Sequence, residues 1–295
     1  MKCLIVGCGY VGLPLGAELV RQDHEVFGLR RSGANELKAA GIQPLVADIT
    51  KPETLAKLPQ DFDWVVNCAA SGGSSADDYR KLYLEGNRNL IAWLADSPPE
   101  KFVYTSSTSV YRQNDGSIVT ETSPAGPVAE TAMVLIKAEK SLLAAVADRK
   151  VPAVILRVAG IYGPGRGHWF KQFLRGEARI EGDDSRWLNM IHRDDLVGCI
   201  IAALECGRPG EIYNAVDDEP VTQLKFFEWL AAELKLPPPP RSPAEAEIQR
   251  KRGVTNKRVN NAKLRKELKY EFRFPDFRKG YGAEIARRSA DGSSA

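Results

Sequence analysis

The first sixteen residues, MKCLIVGCGYVGLPLG, constrain the fold more than any other stretch. A short apolar run over 3–6 leads into Gly7-Cys8-Gly9-Tyr10-Val11-Gly12, and 13–20 reads as a helix. Pro14 is tolerated there because a first-turn residue needs no intrahelical N–H bond. The pattern is strand, tight glycine turn, helix. Gly7 allows the turn, Gly9 lets the backbone approach a pyrophosphate, and Gly12 lets helix and strand pack. Phosphates then sit against the helix N-terminus beside Tyr10 and Val11. A lone GxGxxG is weak evidence, but one that follows a strand and opens a helix points to a dinucleotide.

The second strand, 24–29, decides which dinucleotide. An NAD site usually places Asp or Glu about 20 residues past the glycines, on the ribose 2′-hydroxyl. Here that position offers Arg30, Arg31 and Ser32 and no carboxylate. Guanidiniums pair bidentately with phosphate oxygens, so the expectation is NADP(H), with NAD(H) as the alternative. A solvated basic turn is the competing reading. Asp48, after a third strand over 42–46, either accepts from the adenine amino group or caps the next helix. The strand 62–70 ends in Cys68, Ala69 and Ala70, small residues that leave room for a cofactor.

Strands over 101–104 and 151–158 alternate with helices over 79–95 and 130–146. This alternation implies parallel βαβ units, an α/β doubly wound Rossmann sheet. The expected organisation is a nucleotide-binding domain over 1–160 to which the chain returns around 191–215. A smaller substrate-binding region over 161–190 and 216–288 follows, with a disordered tail at 289–295. The second half reads as helices over 168–175, 194–206 and 226–234, a strand at 211–215, and a closing helix and strand within 256–277.

Composition sets outer bounds. A hydrophobic content of 43% and a charged content of 27% are those of a soluble globular chain. The net charge of +3 is too small to argue for nucleic acid. No apolar run is long enough to cross a bilayer, and Met1 leads almost directly into a strand, leaving no room for a signal peptide. Five cysteines, with no CxxC and no metal-ligand spacing, suggest reduced thiols in the cytoplasm. Cys8 is the cysteine expected to be most accessible. The implied partner is a small molecule, with no membrane and no metal; a homodimer is an arrangement open to such a chain.

Thr105-Ser106-Ser107-Thr108-Ser109-Val110-Tyr111 closes a strand with hydroxyls, which need partners when buried. With the glycine turn, Val66-Asn67-Cys68-Ala69-Ala70, Leu156-Arg157, Tyr162-Gly163-Pro164-Gly165, 189–196 and Ile212-Tyr213-Asn214, it resembles the extended short-chain dehydrogenase/reductase superfamily. That group contains NAD(P)-dependent sugar epimerases and dehydratases. Extended members usually carry GxxGxxG, so GxGxxG marks this chain as atypical.

The resemblance implies a catalytic Ser/Thr at Ser107 and a YxxxK pair on the helix over 130–146. That helix holds no tyrosine. If Lys137 is the family lysine, Met133 occupies the tyrosine position; if Glu139 matches the glutamate that often follows the lysine, the pair becomes Thr131 and Leu135. Lys137 reads either as the ribose-binding lysine or as a solvated helix lysine, and Ser107 either as a substrate-binding or a structural hydroxyl. Tyr83 stands where many relatives have Asn. Tyr111, Tyr162 and His168 are candidate substitutes for the acid. His192 with Asp194 and Asp195 reads as a structural junction rather than a metal set. The expected function is an NADP(H)-dependent oxidoreductase or epimerase/dehydratase-like enzyme on a small carbonyl or sugar-nucleotide-like substrate. The alternative is a non-catalytic NADP(H)-binding regulator or redox sensor.

Overall fold

The computed structural model describes residues 1–73, 75–126, 129–180, 186–242 and 255–290. Its centre is a sheet of seven parallel strands: β1 Lys2–Val6, β2 Glu25–Arg30, β3 Gln43–Val46, β4 Trp64–Asn67, β5 Lys101–Ser107, β6 Ala153–Val158 and β7 Ile212–Ala215. Their order across the sheet is 3-2-1-4-5-6-7. A parallel sheet needs helical cover on both faces, which is why all six residues of β6 are buried. Strand alternation sorts β1 between two cores. Cys3 and Ile5 pack with Leu15 and Leu19 of helix Gly12–Arg21 and with Leu196 and Ile200 of helix Arg193–Cys206. Leu4 and Val6 pack on the other face with Leu90 and Leu94 of helix Gly86–Leu94 and Leu142 of helix Glu130–Ala147.

A third, aromatic core lies beyond the sheet. Tyr162, Phe170, Phe173, Phe226, Phe227, Phe277 and Tyr281 join helices His168–Leu174, Gln223–Leu234 and Phe277–Ala290. The parallel pairing of Gly160–Tyr162 with Met190–His192 ties this lobe to the sheet, since Tyr162 and Met190 join the aromatic core while Ile191 joins the core packed on the sheet.

Two elements differ from the sequence reading. Phe277–Ala290 is a helix that the sequence does not announce, because only a narrow stripe of Phe277, Gly280, Tyr281 and Glu284 is buried in an otherwise polar segment. It includes Ser289 and Ala290, and the rest of the expected tail, 291–295, lies outside the described residues. The helix expected over 79–95 begins at Ala76, with Ser75 and Asp78 forming a capping box, and it is interrupted by a π turn at Arg80–Glu85. No helix among the described residues is long and apolar enough to cross a membrane.

Candidate functional site

A cleft of about 1310 Å³ opens at the carboxyl ends of β1, β2, β4, β5 and β6. The chain order reverses there, with β2 and β4 flanking β1, which is where open α/β sheets hold ligands. Gly7, Gly9, Tyr10 and Val11 line it. Gly7 has φ +85°, and a Cβ on it would lie 2.3 Å from the Ala69 Cα, so backbone conformation and packing both demand glycine. A Cβ on Gly9 would meet no protein atom within 4 Å, because that side faces the open cleft. Gly12 lies beneath the wall; its Cβ would sit 2.7 Å from the Gly7 carbonyl oxygen and 3.1 Å from the Cys68 sulfur. Helix Gly12–Arg21 starts with no side-chain cap and no acidic first-turn residue. Leu13 N donates to the Gly9 carbonyl at 2.8 Å and Pro14 has no N–H, so the turn N–H groups of Tyr10 and Val11, at the head of this helix and beside an open Gly9, are those that fit a dinucleotide pyrophosphate.

Arg30, Arg31, Ser32 and Asp48 line the next stretch of wall. Arg30 is already engaged: its Nη1 donates to Glu36 Oε2 at 2.9 Å and to the Gly33 carbonyl at 3.4 Å. Arg31 and Ser32 are exposed. Asp48 closes a turn, its Oδ1 accepting from Thr50 N at 3.0 Å and Thr50 Oγ1 at 2.8 Å. Burial opposes ionisation of this carboxyl, but the Thr50 bonds and the nearby Arg31 and Lys51 charges outweigh it and hold it below the usual range. Helix Pro52–Leu55 has Lys51 in its N-cap position, so Asp48 is not that helix's cap.

Cys68, Ala69 and Ala70 form the floor, where the Cys68 sulfur donates to the Gly7 carbonyl at 3.4 Å. Cys8 is not the most accessible cysteine: it is fully buried and donates to the Gly12 carbonyl, while Cys206 is the exposed one. Burial pushes the Cys8 and Cys68 thiols up to about 12, which removes them as nucleophiles.

Ser107 brings the end of β5 into the cleft, and its Oγ accepts from Ser109 N at 3.2 Å. Behind it runs a buried polar network. Ser106 Oγ donates to Glu139 Oε1 at 2.6 Å, and Arg157 Nη2 donates to Glu139 Oε2 at 2.8 Å. Arg157 Nη1 donates to the Tyr111 hydroxyl at 3.0 Å, which donates to Asn214 Oδ1 at 2.7 Å. The network ties β5, β6 and β7 to helix Glu130–Ala147 and sets the rotation of that helix.

With Glu139 turned to the sheet, Leu135 and Thr131, one and two turns earlier, are buried on the same side, and Leu135 lines the cleft. Lys137 falls on the opposite side and is exposed with Met133. The structure therefore does not bring Lys137 to the cleft, and the pair that faces the sheet is Thr131 and Leu135. A tyrosine placed at Met133 would project from the exposed face.

Two of the substitute acids are also elsewhere. Tyr111 is consumed by Arg157 and Asn214, and Tyr162 is buried, stacked on Tyr281 with ring centroids 4.3 Å apart; neither lines the cleft. His168 does line it, with Arg166 and Lys171. The phenols in the wall are Tyr10, Tyr79 and Tyr83. The Tyr83 hydroxyl accepts from Ser71 N at 3.0 Å. Tyr79 carried no signal in the sequence, where it reads only as the first residue of an amphipathic helix; it lies at the end of helix Ala76–Tyr79.

His192 and Asp195 build a junction. His192 caps helix Arg193–Cys206 by accepting from Asp194 N at 3.2 Å. Burial lowers its imidazole pKa, against the nearby Asp194 and Glu284 carboxylates. Asp195 accepts from the Tyr270 hydroxyl, Arg273 N and Phe274 N at 2.8, 2.7 and 2.9 Å, pinning the C-terminal segment. Among the described residues no three His, Cys, Asp or Glu side chains gather as a metal set.

This seven-stranded parallel sheet, with its glycine turn at the strand-order reversal, defines a Rossmann-type dinucleotide-binding protein. Residues 3–215 match the NAD dependent epimerase/dehydratase family, and the chain belongs to that family. It is 28% identical over 287 residues to protein YeeZ of Escherichia coli K12, covering 93% of this chain and 97% of YeeZ. It is 27% identical over 254 residues to a 2-alkyl-3-oxoalkanoate reductase of Shewanella oneidensis, covering 78% of this chain and 65% of the reductase. The solved structure of a conserved protein of unknown function from Silicibacter pomeroyi superposes with a TM-score of 0.81 at 28% identity, over 97% of this chain and 98% of that one.

Proposed function

We propose that the protein is an NADP(H)-dependent oxidoreductase or epimerase/dehydratase-like enzyme acting on a small carbonyl or sugar-nucleotide-like substrate. The observation that carries this reading is the continuity of the cleft, which runs from Arg31 and Ser32 past the glycine turn to Ser107 without interruption. NADP(H), when bound, supplies or accepts a hydride. The chain's own residues do the rest. The glycine turn and the uncapped helix hold the pyrophosphate, and Arg31 with Ser32 meets the 2′-phosphate. Ser107 offers its hydroxyl to a substrate oxygen at the end of β5. The family's cofactor class and the reductase relative support an enzyme. Five unpaired thiols fit a reducing, cytoplasmic setting.

A non-catalytic NADP(H)-binding role is the second reading. It is favoured by Thr131 and Leu135, since leucine can neither bind a ribose hydroxyl nor assist a phenol.

Fluorescence titration with NADPH and NADH tests the cofactor assignment. Replacing Arg30 and Arg31 together with Ala should weaken NADPH binding by roughly 10- to 100-fold and leave NADH nearly unchanged, given charge-assisted bonds of about 1.5–3 kcal/mol. Equal losses for both would mean that the arginines do not read the 2′-phosphate. Turnover of NADPH with a panel of 3-oxo acids and sugar nucleotides separates enzyme from binder.

A further inference from the structure

We propose that Tyr83 is the proton donor of this site, having taken over from the opposite wall the role that a tyrosine on helix Glu130–Ala147 would hold. The inference rests on the enzymatic reading above. The sheet-facing side of Glu130–Ala147 offers only Thr131 and Leu135 at the reaction end, and neither is a phenol. The facing wall offers two. Helix Ala76–Tyr79 passes into the π turn Arg80–Glu85, whose wider winding alters the facing of the segment. Tyr79 and Tyr83 both line the cleft, with ring centroids 4.9 Å apart. Such π segments occur frequently at functional sites.

Tyr83 is better placed than Tyr10 or Tyr79. Its hydroxyl accepts from Ser71 N at 3.0 Å, just past the floor residues Ala69 and Ala70. Strands β4 and β5 are paired with Asn67 beside Tyr104. Ser71 follows the end of β4, and Ser107 closes the neighbouring strand β5 and lines the same cleft. The Tyr83 hydroxyl therefore stands on the β4 side of the cleft that Ser107 lines from β5, the side on which a substrate carbonyl at Ser107 would lie. The Tyr10 hydroxyl lies instead at the junction, where a Cβ on Gly163 would be 3.3 Å from it and 3.0 Å from His192 Nε2. Burial pushes its pKa up to about 12. Tyr79 is the more deeply buried of the pair, 1% exposed against 7% for Tyr83.

In a reduction, the substrate carbonyl carbon receives a hydride from NADPH and the C=O electron pair moves to oxygen. That oxygen takes the Tyr83 proton to give the alcohol. The phenolate recovers a proton from water, and NADP⁺ departs. Charged groups lining the same cleft are Asp78 and Lys81 from the Tyr83 wall, Arg166, His168 and Lys171 across it, and Arg30, Arg31 and Asp48 toward the adenine end. A donor beside the reacting carbon must feel the positive charge that the nicotinamide ring carries only when oxidised.

The test is a pH titration of protein labelled with ¹³C at tyrosine Cζ, saturated in turn with NADP⁺ and NADPH. One tyrosine should ionise at a pH at least one unit lower with NADP⁺, a tenfold change in its acidity. Tyr83→Phe should remove that transition while still binding NADPH within threefold, and Tyr79→Phe and Tyr10→Phe should keep it. Because Tyr10, Tyr79 and Tyr83 are the tyrosines that line the cleft, those two controls leave Tyr83 as the responding cleft phenol even if Tyr83→Phe does not fold. Persistence of the transition in Tyr83→Phe, its loss in Tyr79→Phe or Tyr10→Phe, or no tyrosine responding to NADP⁺, overturns the assignment of Tyr83 and leaves the cofactor reading standing. Failure of NADPH to bind the wild type overturns both.

Discussion

The two ends of the cleft are built on different principles. The cofactor end is specified by backbone: Gly7 at φ +85°, Gly9 open to the cleft and Gly12 packed under the turn leave almost no choice of residue. The reaction end is specified by side chains held from behind, through Ser106, Glu139, Arg157, Tyr111 and Asn214. A turn defined by backbone geometry tolerates little change. A helix oriented by a buried ion pair keeps its pose while residues on its cleft-facing side are exchanged. This explains how the framework of the family persists here with Thr131 and Leu135 at its centre.

The difference can be broken most forcefully at Glu139. Its side chain and that of Arg157 are 4% and 6% exposed, so Glu139→Gln leaves a buried guanidinium without its counter-charge. The expected loss is about 3–5 kcal/mol of stability, read by urea denaturation, because an uncompensated buried charge is costly. A loss below about 1 kcal/mol, the range of exposed pairs, would mean that the network does not organise this end.

Gly9→Ala and Gly7→Ala sharpen the contrast from the other side. Ala at Gly9 meets no protein atom, so thermal stability should hold while NADPH affinity falls by roughly 100-fold, the equivalent of losing one or two charge-assisted bonds. Ala at Gly7 should lower both, since its Cβ collides with the Ala69 backbone. If Gly9→Ala melted early or bound NADPH normally, the open face of the turn would not be the phosphate seat.

Lys257 ties the second lobe to the sheet side. Its Nζ donates to the Tyr111 carbonyl at 3.2 Å and to Thr255 Oγ1 at 2.7 Å. Burial pulls its pKa down from 10.5 to about 8. Between those values the unfolded chain holds a proton that the folded chain has released. Stability should therefore rise with pH through that window, the charged form being the costly one below it. Lys257→Met should flatten the rise in melting temperature between pH 8 and 10.5. An unchanged slope would assign it to another group.

The smallest effect belongs to Lys137. On the exposed face, Lys137→Ala should change stability by no more than about 0.5 kcal/mol and leave NADPH binding and turnover unaltered. A loss of NADPH affinity would show that the helix rotates to present Lys137 to the cofactor.

Several of these features were legible in the chain itself. The strand, glycine turn and helix at the N-terminus, the basic end of β2 and the small residues after β4 all lie in the cleft wall, because each depends on local backbone geometry and on spacing along one element. The helix over 130–146 was legible as a helix, but its facing was not. Residues 133 and 137 fit the YxxxK spacing as well as 131 and 135 do, and only the pairing of Glu139 with Arg157, 18 positions away, chooses between them. Tyr83 stood out in the sequence as a replacement for Asn, but its facing did not, since a π turn has no composition of its own.

The sequence by itself determined the fold class and the place of the glycine turn, because glycine positions and strand–helix alternation are local properties that survive without knowledge of partners. Tertiary structure alone decided which side chains meet at the reaction end. Facing there is set by contacts between residues far apart in the chain, with Glu139 against Arg157 and Tyr83 against Ser71, and no periodicity within one helix encodes such contacts.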